Sequence, residues 1–334
     1  MLSHTTRYQL IDKVVNMKQM PQTIIVDLNP HYGLISITGP DKETFLQGQL
    51  TVDIREILST KHNLSAYCNL KGRINALFRI FFHHDSYYLQ LPLSILSRTV
   101  TELKKYAKFS KVAIQDLSTD WQRLGISIIS DNKNPENWIL PKTLLQLDPK
   151  IQIMQPGDTL NLSDMILLCL TGPSPRFELL GPATTIKPFW KQFSNEAEIR
   201  DFNEWKLLDI KMGIPEVWPE TIEHFLPHSL NLPALKAVSF NKGCYRGQEI
   251  IARMEYRAKI KRHLAYASLR SDIIPPPGTP LHSEDAASQD IGSVVSASFA
   301  SNNTVEMLIE ILDEFAQNHP LYIELQDKRF SLFL

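Results

Sequence analysis

The residues with the clearest chemical potential lie together in Phe240-Asn241-Lys242-Gly243-Cys244-Tyr245-Arg246-Gly247-Gln248-Glu249. The chain of 334 residues holds only 13 glycines, so two within five positions mark a backbone that turns sharply or approaches another surface closely. A thiolate attacks electrophiles and ligates metals, and neighbouring cations favour it over the thiol. Lys242 and Arg246 flank Cys244, making it the one cysteine of three with a reactive setting. Lys242 and Arg246 would tune the thiol, while Gly243 and Gly247 would shape the loop. Tyr245 completes the run, and Gln248 and Glu249 would hold it by hydrogen bonds rather than do chemistry. The competing reading is a turn cysteine that packs inward. A protease or acyltransferase would need a histidine and an orienting Asn or Asp beside the thiol, and no nucleophile signature accompanies Cys244.

Cations continue downstream. Between positions 242 and 263, Lys242, Arg246, Arg253, Arg257, Lys259, Lys261 and Arg262 stand against Glu249 and Glu255, a net +5 inside a chain of net charge −1. Such a patch can meet phosphates or the carboxylates of a small anion, or it can be a solvated strand face.

Several elements must position these groups. Gly33–Thr38 (GLISIT) reads as a strand, and Gly39-Pro40-Asp41 breaks it. Asp41 would cap a helix carrying Phe45, Leu46 and Leu50. Ile74–Phe82 and Tyr87–Leu91 flank a turn at His83–Ser86 and form a hairpin. Leu96, Val100, Leu103 and Ala107 recur at helical spacing over 94–108. Met165–Leu170 and Arg176–Leu180 read as short strands and Pro182–Phe193 as a helix. Asp201 would cap a helix bearing Trp205, Leu208 and Met212, which Gly213 and Pro215 end. Beyond about residue 260, strand-like runs separated by turns such as Pro275-Pro276-Pro277-Gly278 suggest a small all-β unit. The fold class is therefore α+β followed by β.

The run Lys242–Glu249 resembles the KGCYxGQE signature of the YgfZ family, folate-binding proteins of the aminomethyltransferase (glycine-cleavage T protein) superfamily. Ile35–Asp53, Leu64–Leu77, Leu103–Ile114 (LKKYAKFSKVAI), Trp205–Pro215 and Phe225–Leu235 are similar to further family blocks, in the same order. The resemblance implies two ferredoxin-like lobes and a C-terminal β-barrel around a central folate channel. In chain terms these are an N-terminal extension at 1–24, a two-lobed folate-binding region at 25–255 and a barrel at 256–334.

By the same resemblance, Tyr32 and Trp205 would contact tetrahydrofolate, and Arg246 and Arg253 would meet its anionic tail; the competing reading of Trp205 is a core residue on its helix stripe. The chain departs from the compared relative, which carries Trp where Tyr32 stands. Aminomethyltransferases carry acidic residues where Asn75 and Ala76 stand, and neither residue can act as a general base near neutral pH. The implied role is an accessory protein for Fe–S enzymes, such as the radical methylthiotransferases that modify tRNA, with Cys244 as the functional thiol. A tetrahydrofolate-dependent aminomethyl transferase and a direct tRNA-binding module using the 242–263 patch are the alternatives. Any contact with tRNA would be indirect or weak under the leading reading.

Composition bounds these expectations. With 35 basic and 36 acidic side chains, a whole-chain polyelectrolyte mode of nucleic-acid binding is excluded. Three dispersed cysteines, none in a CxxC, offer neither a zinc knuckle nor a four-thiolate cluster and argue against a disulfide framework. No resident metal is expected. Residues 1–24 lack a signal-peptide apolar stretch, and the aliphatic run Met165–Leu170 is far shorter than the roughly 20 residues of a membrane span. A cytoplasmic monomer without membrane contact is expected.

Overall fold

The computed structural model describes residues 22–129, 139–257, 259–286, 289–301, 303–316 and 319–334. Most of the expected N-terminal extension, residues 1–21, lies outside the described residues.

The chain opens in one sheet, leaves to build another, and returns. Strand β1 (Gln22–Asp27) is followed by β2 (Tyr32–Thr38), helix α1 (Lys42–Gln49), β3 (Asn63–Cys68), β4 (Ile74–His83), β5 (Ser86–Pro92), helix α2 (Leu93–Tyr106) and β6 (Ala113–Asp116). Strands β2 to β6 form a five-stranded sheet in the order β3-β4-β5-β2-β6. Strand β7 (Trp121–Ile129) then goes back to pair antiparallel with β1. The second sheet adds β8 (Thr159–Leu162), β9 (Met165–Leu170), β10 (Arg176–Pro182) and β11 (Glu198–Arg200), in the order β11-β1-β7-β10-β9-β8. Helices α3 (Lys142–Leu145), α4 (Ala183–Phe193) and α5 (Phe202–Lys211) come from the same stretch of chain, and α6 (Gln248–Tyr256) follows the signature run. The two α+β lobes are thus interlocked, with residues 32–116 inserted between the first two strands of the second sheet.

Local chemistry accounts for most elements. Strands β4 and β5 meet at His83↔Ser86 across His84 (φ +43°) and Asp85 (φ +61°), the left-handed pair that a two-residue hairpin requires. Phe81 stacks on Tyr88 and Phe82 packs on Tyr87 across the hairpin, at ring-centroid distances of 5.3 and 4.9 Å. Asp201 caps α5 by accepting from the backbone N–H groups of Asn203 and Glu204 at 2.8 and 3.3 Å. Asp41 stands at the start of α1 but does not cap it. Its carboxylate accepts instead from the backbone N–H of Lys111 at 2.7 Å, tying α1 to the approach of β6. The expected helix over 94–108 ends at Tyr106 and tightens into a 3-10 turn over Ala107–Phe109.

The C-terminal part is β, as expected, built from a three-stranded sheet and a hairpin, with Pro280 of the intervening segment bridged to Ser293 of the sheet. Strands β12 (Arg262–Arg270), β13 (Gly292–Ser301) and β14 (Thr304–Leu312) form an antiparallel sheet in the order β12-β14-β13. Strands β15 (Leu321–Leu325) and β16 (Lys328–Leu332) form a separate hairpin. Isolated bridges at Ser268↔Phe333 and His282↔Tyr322 join the two pieces. Apolar side chains from both pieces, among them Leu269, Val294, Ile309, Leu321 and Ile323, share one core.

Candidate functional site

The signature loop is built on close backbone approach. Gly247 (φ +81°) precedes the first residue of α6, and a Cβ placed there would lie 2.5 Å from the Asn69 carbonyl oxygen and 3.3 Å from Cys68 Cβ. Only glycine combines that left-handed φ with that contact. Gly243 differs from the expectation: its φ is not in the left-handed region and a Cβ there would meet open space. Thus one glycine of the pair is dictated by geometry.

Lys242 is buried, and its ammonium donates to the backbone carbonyls of Leu50 at 2.7 Å and Val52 at 2.8 Å. Burial lowers its pKa to about 8. The ammonium therefore fastens the loop to the end of α1 rather than standing free. Tyr245 is buried in the core of the first lobe. Gln248 donates its backbone N–H to the Tyr245 carbonyl at 3.1 Å, and its side-chain oxygen lies 3.4 Å from the Tyr245 N–H, so it braces the turn. Glu249 is exposed in the first turn of α6. Arg246 donates its backbone N–H to Gly48 at 3.1 Å, hydrogen-bonds the Tyr67 hydroxyl, and lies 4.5 Å from the Tyr106 ring centre. Cys244 is exposed, whereas Cys68 and Cys169 are buried and their thiols are pushed up to about 12 by burial. Among the described residues, the loop thus presents one accessible thiol on a fixed scaffold.

The other expected residues meet elsewhere. Tyr32 and Trp205 line one cavity between the lobes, with Arg79, Gln90, Glu178, Asp209 and Glu216. Arg246 and Arg253 do not line it. Its free volume is about 40 Å³, room for two or three waters. Trp205 is fully buried on α5; Gly125 of β7 leaves space for it, since a Cβ there would lie 2.8 Å from the indole. The Arg176 guanidinium stacks 3.8 Å from the indole centre and donates to the Trp205 carbonyl at 3.1 Å and to Asp209 at 2.6 Å.

Buried carboxylates give this cavity its chemistry. The Tyr32 hydroxyl donates to Glu216 Oε1 at 2.5 Å, and Gln90 donates to Glu178 Oε1 at 2.7 Å. Arg79 lies 3.9 Å from Glu178 Oε2. Among the described residues, neither Glu178 Oε2 nor Glu216 Oε2 has a hydrogen-bond partner. Burial, and then the charge of Asp209, raise Glu216 to about 7, while Lys206 and Arg176 pull the other way. Burial also raises Glu178. Sequence reasoning missed Glu178, Glu216, Arg176 and Asp209. The one available signal was two charges alternating with apolar residues in the strand Arg176-Phe177-Glu178-Leu179-Leu180, where both charged side chains must be buried.

The cationic segment is divided by the fold. Lys242 is buried, Arg246 lies against tyrosines, and Arg262 is paired with Glu310 at 2.8 Å and Asp290 at 3.2 Å. Lys259, Lys261 and Arg262 line a second cavity of about 580 Å³ with Arg73, His224 and His228. Asn75 is buried beside β3, and its amide oxygen has no hydrogen-bond partner among the described residues. No helix among the described residues is long and apolar enough to cross a membrane.

No family model matches the chain. It is 31% identical over 303 residues to the tRNA-modifying protein YgfZ of Photorhabdus laumondii subsp. laumondii, which covers 90% of this chain and 88% of that protein. Against the tRNA-modifying protein YgfZ of Colwellia psychrerythraea the identity is 31% over 278 residues, 83% of this chain and 79% of the relative. Among solved structures, the glycine cleavage system aminomethyltransferase T from Bartonella henselae superposes with a TM-score of 0.72 over 95% of this chain and 86% of that one. At 14% identity, that likeness is one of fold alone.

Proposed function

This chain belongs to the YgfZ family, and from that membership we propose that it binds tetrahydrofolate and supports tRNA modification as an accessory to Fe–S enzymes. The observation that carries the folate part is the cavity of Tyr32 and Trp205, in which Glu178 and Glu216 each keep an oxygen without a hydrogen-bond partner among the described residues, that of Glu178 facing the Arg79 guanidinium at 3.9 Å. A pterin edge offers an amino group and a ring N–H, so Glu178 and Glu216 match it as acceptors, and the aromatic walls match its faces. The residues therefore fit the group. At about 40 Å³ the cavity must widen to admit a bicyclic ring, and parting Tyr32 from Glu216 is the adjustment nearest to hand.

Trp205, held by Arg176, would set the plane of the ring, and Glu178, held by Gln90, would fix its edge. Arg253, Lys259 and Lys261 are exposed cations suited to the anionic tail, with Arg253 outside both cavities described. When bound, tetrahydrofolate supplies a one-carbon carrier. Asn75 and Ala76 give no group that takes a proton there, which favours an accessory role over aminomethyl transfer. Cys244, exposed and away from the cavity lining, would act on a partner protein rather than on the folate. A single thiol holds no stable cluster unaided, so the cluster belongs to the partner. The reading places the protein in the cytoplasm, as a monomer.

The test is complementation of a gene deletion by wild type, Cys244→Ala, Trp205→Ala or the milder Trp205→Phe. Methylthiolated tRNA and Fe–S enzyme activity are measured in the cells, and tetrahydrofolate affinity on each purified protein. Loss of modification with Cys244→Ala and with each variant that loses folate is expected. Full rescue by Cys244→Ala refutes the thiol role, and full rescue by a protein shown not to bind folate makes folate dispensable.

A further inference from the structure

The helix that leads to β6 ends in a run that neither the cavity nor the thiol uses. Lys104-Lys105-Tyr106-Ala107-Lys108-Phe109-Ser110-Lys111 sets four lysines among two aromatic rings in eight positions. All four lysines are exposed. Phe109 is 100% exposed and Tyr106 44% exposed, although Leu103 on the same helix is fully buried. The helix therefore buries one face in the lobe and offers the other, cationic and aromatic, to solvent. Among the described residues, Lys105 is paired with Glu102, and no ion pair reaches Lys104, Lys108 or Lys111.

The strip adjoins the signature loop. Arg246 spans from the Tyr67 hydroxyl to the Tyr106 ring, 4.5 Å from its centre, so one guanidinium joins the end of α2 to the loop carrying Cys244. On the other side of Gly247, the turn over Asn69–Gly72 holds out Leu70, 76% exposed, and the exposed Lys71.

We propose that this strip, Lys104 to Lys111 with Arg246, is a binding surface for a single-stranded segment of RNA. Lysines in this number attract a phosphate backbone. Exposed rings among them give unpaired bases a stacking platform that a duplex, with its bases already stacked, does not use. An exposed phenylalanine surrounded by cations is a poor match for an apolar protein partner, whose own surface would have to bury those charges. The choice of RNA among polyanions rests on the tRNA-modification reading; the charge and exposure of the strip do not. A tRNA loop bound there would lie next to Cys244 rather than over the folate cavity.

Fluorescence anisotropy of the full-length protein with labelled total tRNA, an anticodon stem-loop and a blunt RNA duplex tests this. K104E/K108E is expected to weaken tRNA binding at least tenfold and to reduce the slope of log K against log salt by between one and two. F109S is expected to weaken the stem-loop at least fivefold while changing the duplex little. K187E/K191E, on the exposed face of α4, is the charge-matched control and should stay within twofold of wild type. Equal losses from control and strip variants overturn the proposal, as does wild-type protein that does not bind tRNA. Strip variants that lose tRNA modification in cells while keeping wild-type tRNA affinity also overturn it, and assign the surface to a partner protein. These failures are separable from failure of the functional reading, which shows as undiminished tRNA modification in the deletion strain whatever the purified protein binds.

Discussion

Replacing Glu216 by glutamine removes a titration that the cavity has moved into the neutral range. Glu216 goes from 4.5 to about 7, chiefly because burial disfavours its charged form and Asp209 repels it, against partial compensation by Lys206 and Arg176. The shift of about 2.5 units, at about 1.4 kcal/mol per unit, is worth roughly 3 kcal/mol. The sign follows from the raised folded-state value. This carboxyl contributes fully below its unfolded value near 4.5, and the contribution is lost as pH rises through about 7. Roughly 2 kcal/mol of the loss falls between about pH 5.5 and about pH 8.5.

Glutamine keeps an acceptor for the Tyr32 hydroxyl and does not ionise, so the Glu216→Gln protein should gain about 2 kcal/mol on the wild type across that interval. Urea unfolding of both proteins at each pH, analysed as the difference between them, cancels titrations elsewhere. Parallel stability profiles for the two proteins would refute the reasoning, since they would mean that Glu216 titrates alike in the folded and unfolded chain.

Four other outcomes are expected. Gly247→Ala should destabilise by about 3 kcal/mol, from a left-handed backbone and a 2.5 Å approach to the Asn69 carbonyl, whereas Gly243→Ala should change thermal stability little. Lys242→Met should lower stability by roughly 2 to 4 kcal/mol in denaturant titration, because the Leu50 and Val52 carbonyls lose their donor. Cys244→Ser should leave stability within about 0.5 kcal/mol, since the thiol is exposed, while abolishing complementation of the deletion strain. Glu178→Gln, measured by tryptophan quenching, should weaken tetrahydrofolate binding by roughly tenfold, about the worth of one hydrogen bond to a charged acceptor.

What the sequence determines by itself is local. Gly247, the cap at Asp201, the hairpin over 74–92 and the burial of Cys68 and Cys169 follow from backbone freedom, short-range hydrogen bonding and apolar context, which act over a few residues. Tertiary structure decided the rest. Nothing in the run of residues says that β1 pairs with β7 across the 32–116 insertion, or that Asp41 gives up its helix to hold Lys111. Lys242 lies two residues from Cys244 in the chain, yet its ammonium is engaged by the Leu50 and Val52 carbonyls, because a buried charge goes to the nearest acceptors, whatever their place in sequence. Glu178 and Glu216 acquire their character only when strands of both lobes and α5 exclude water around them. Burial is a property of the assembled fold, and it turns two ordinary glutamates into the acceptors that define the cavity.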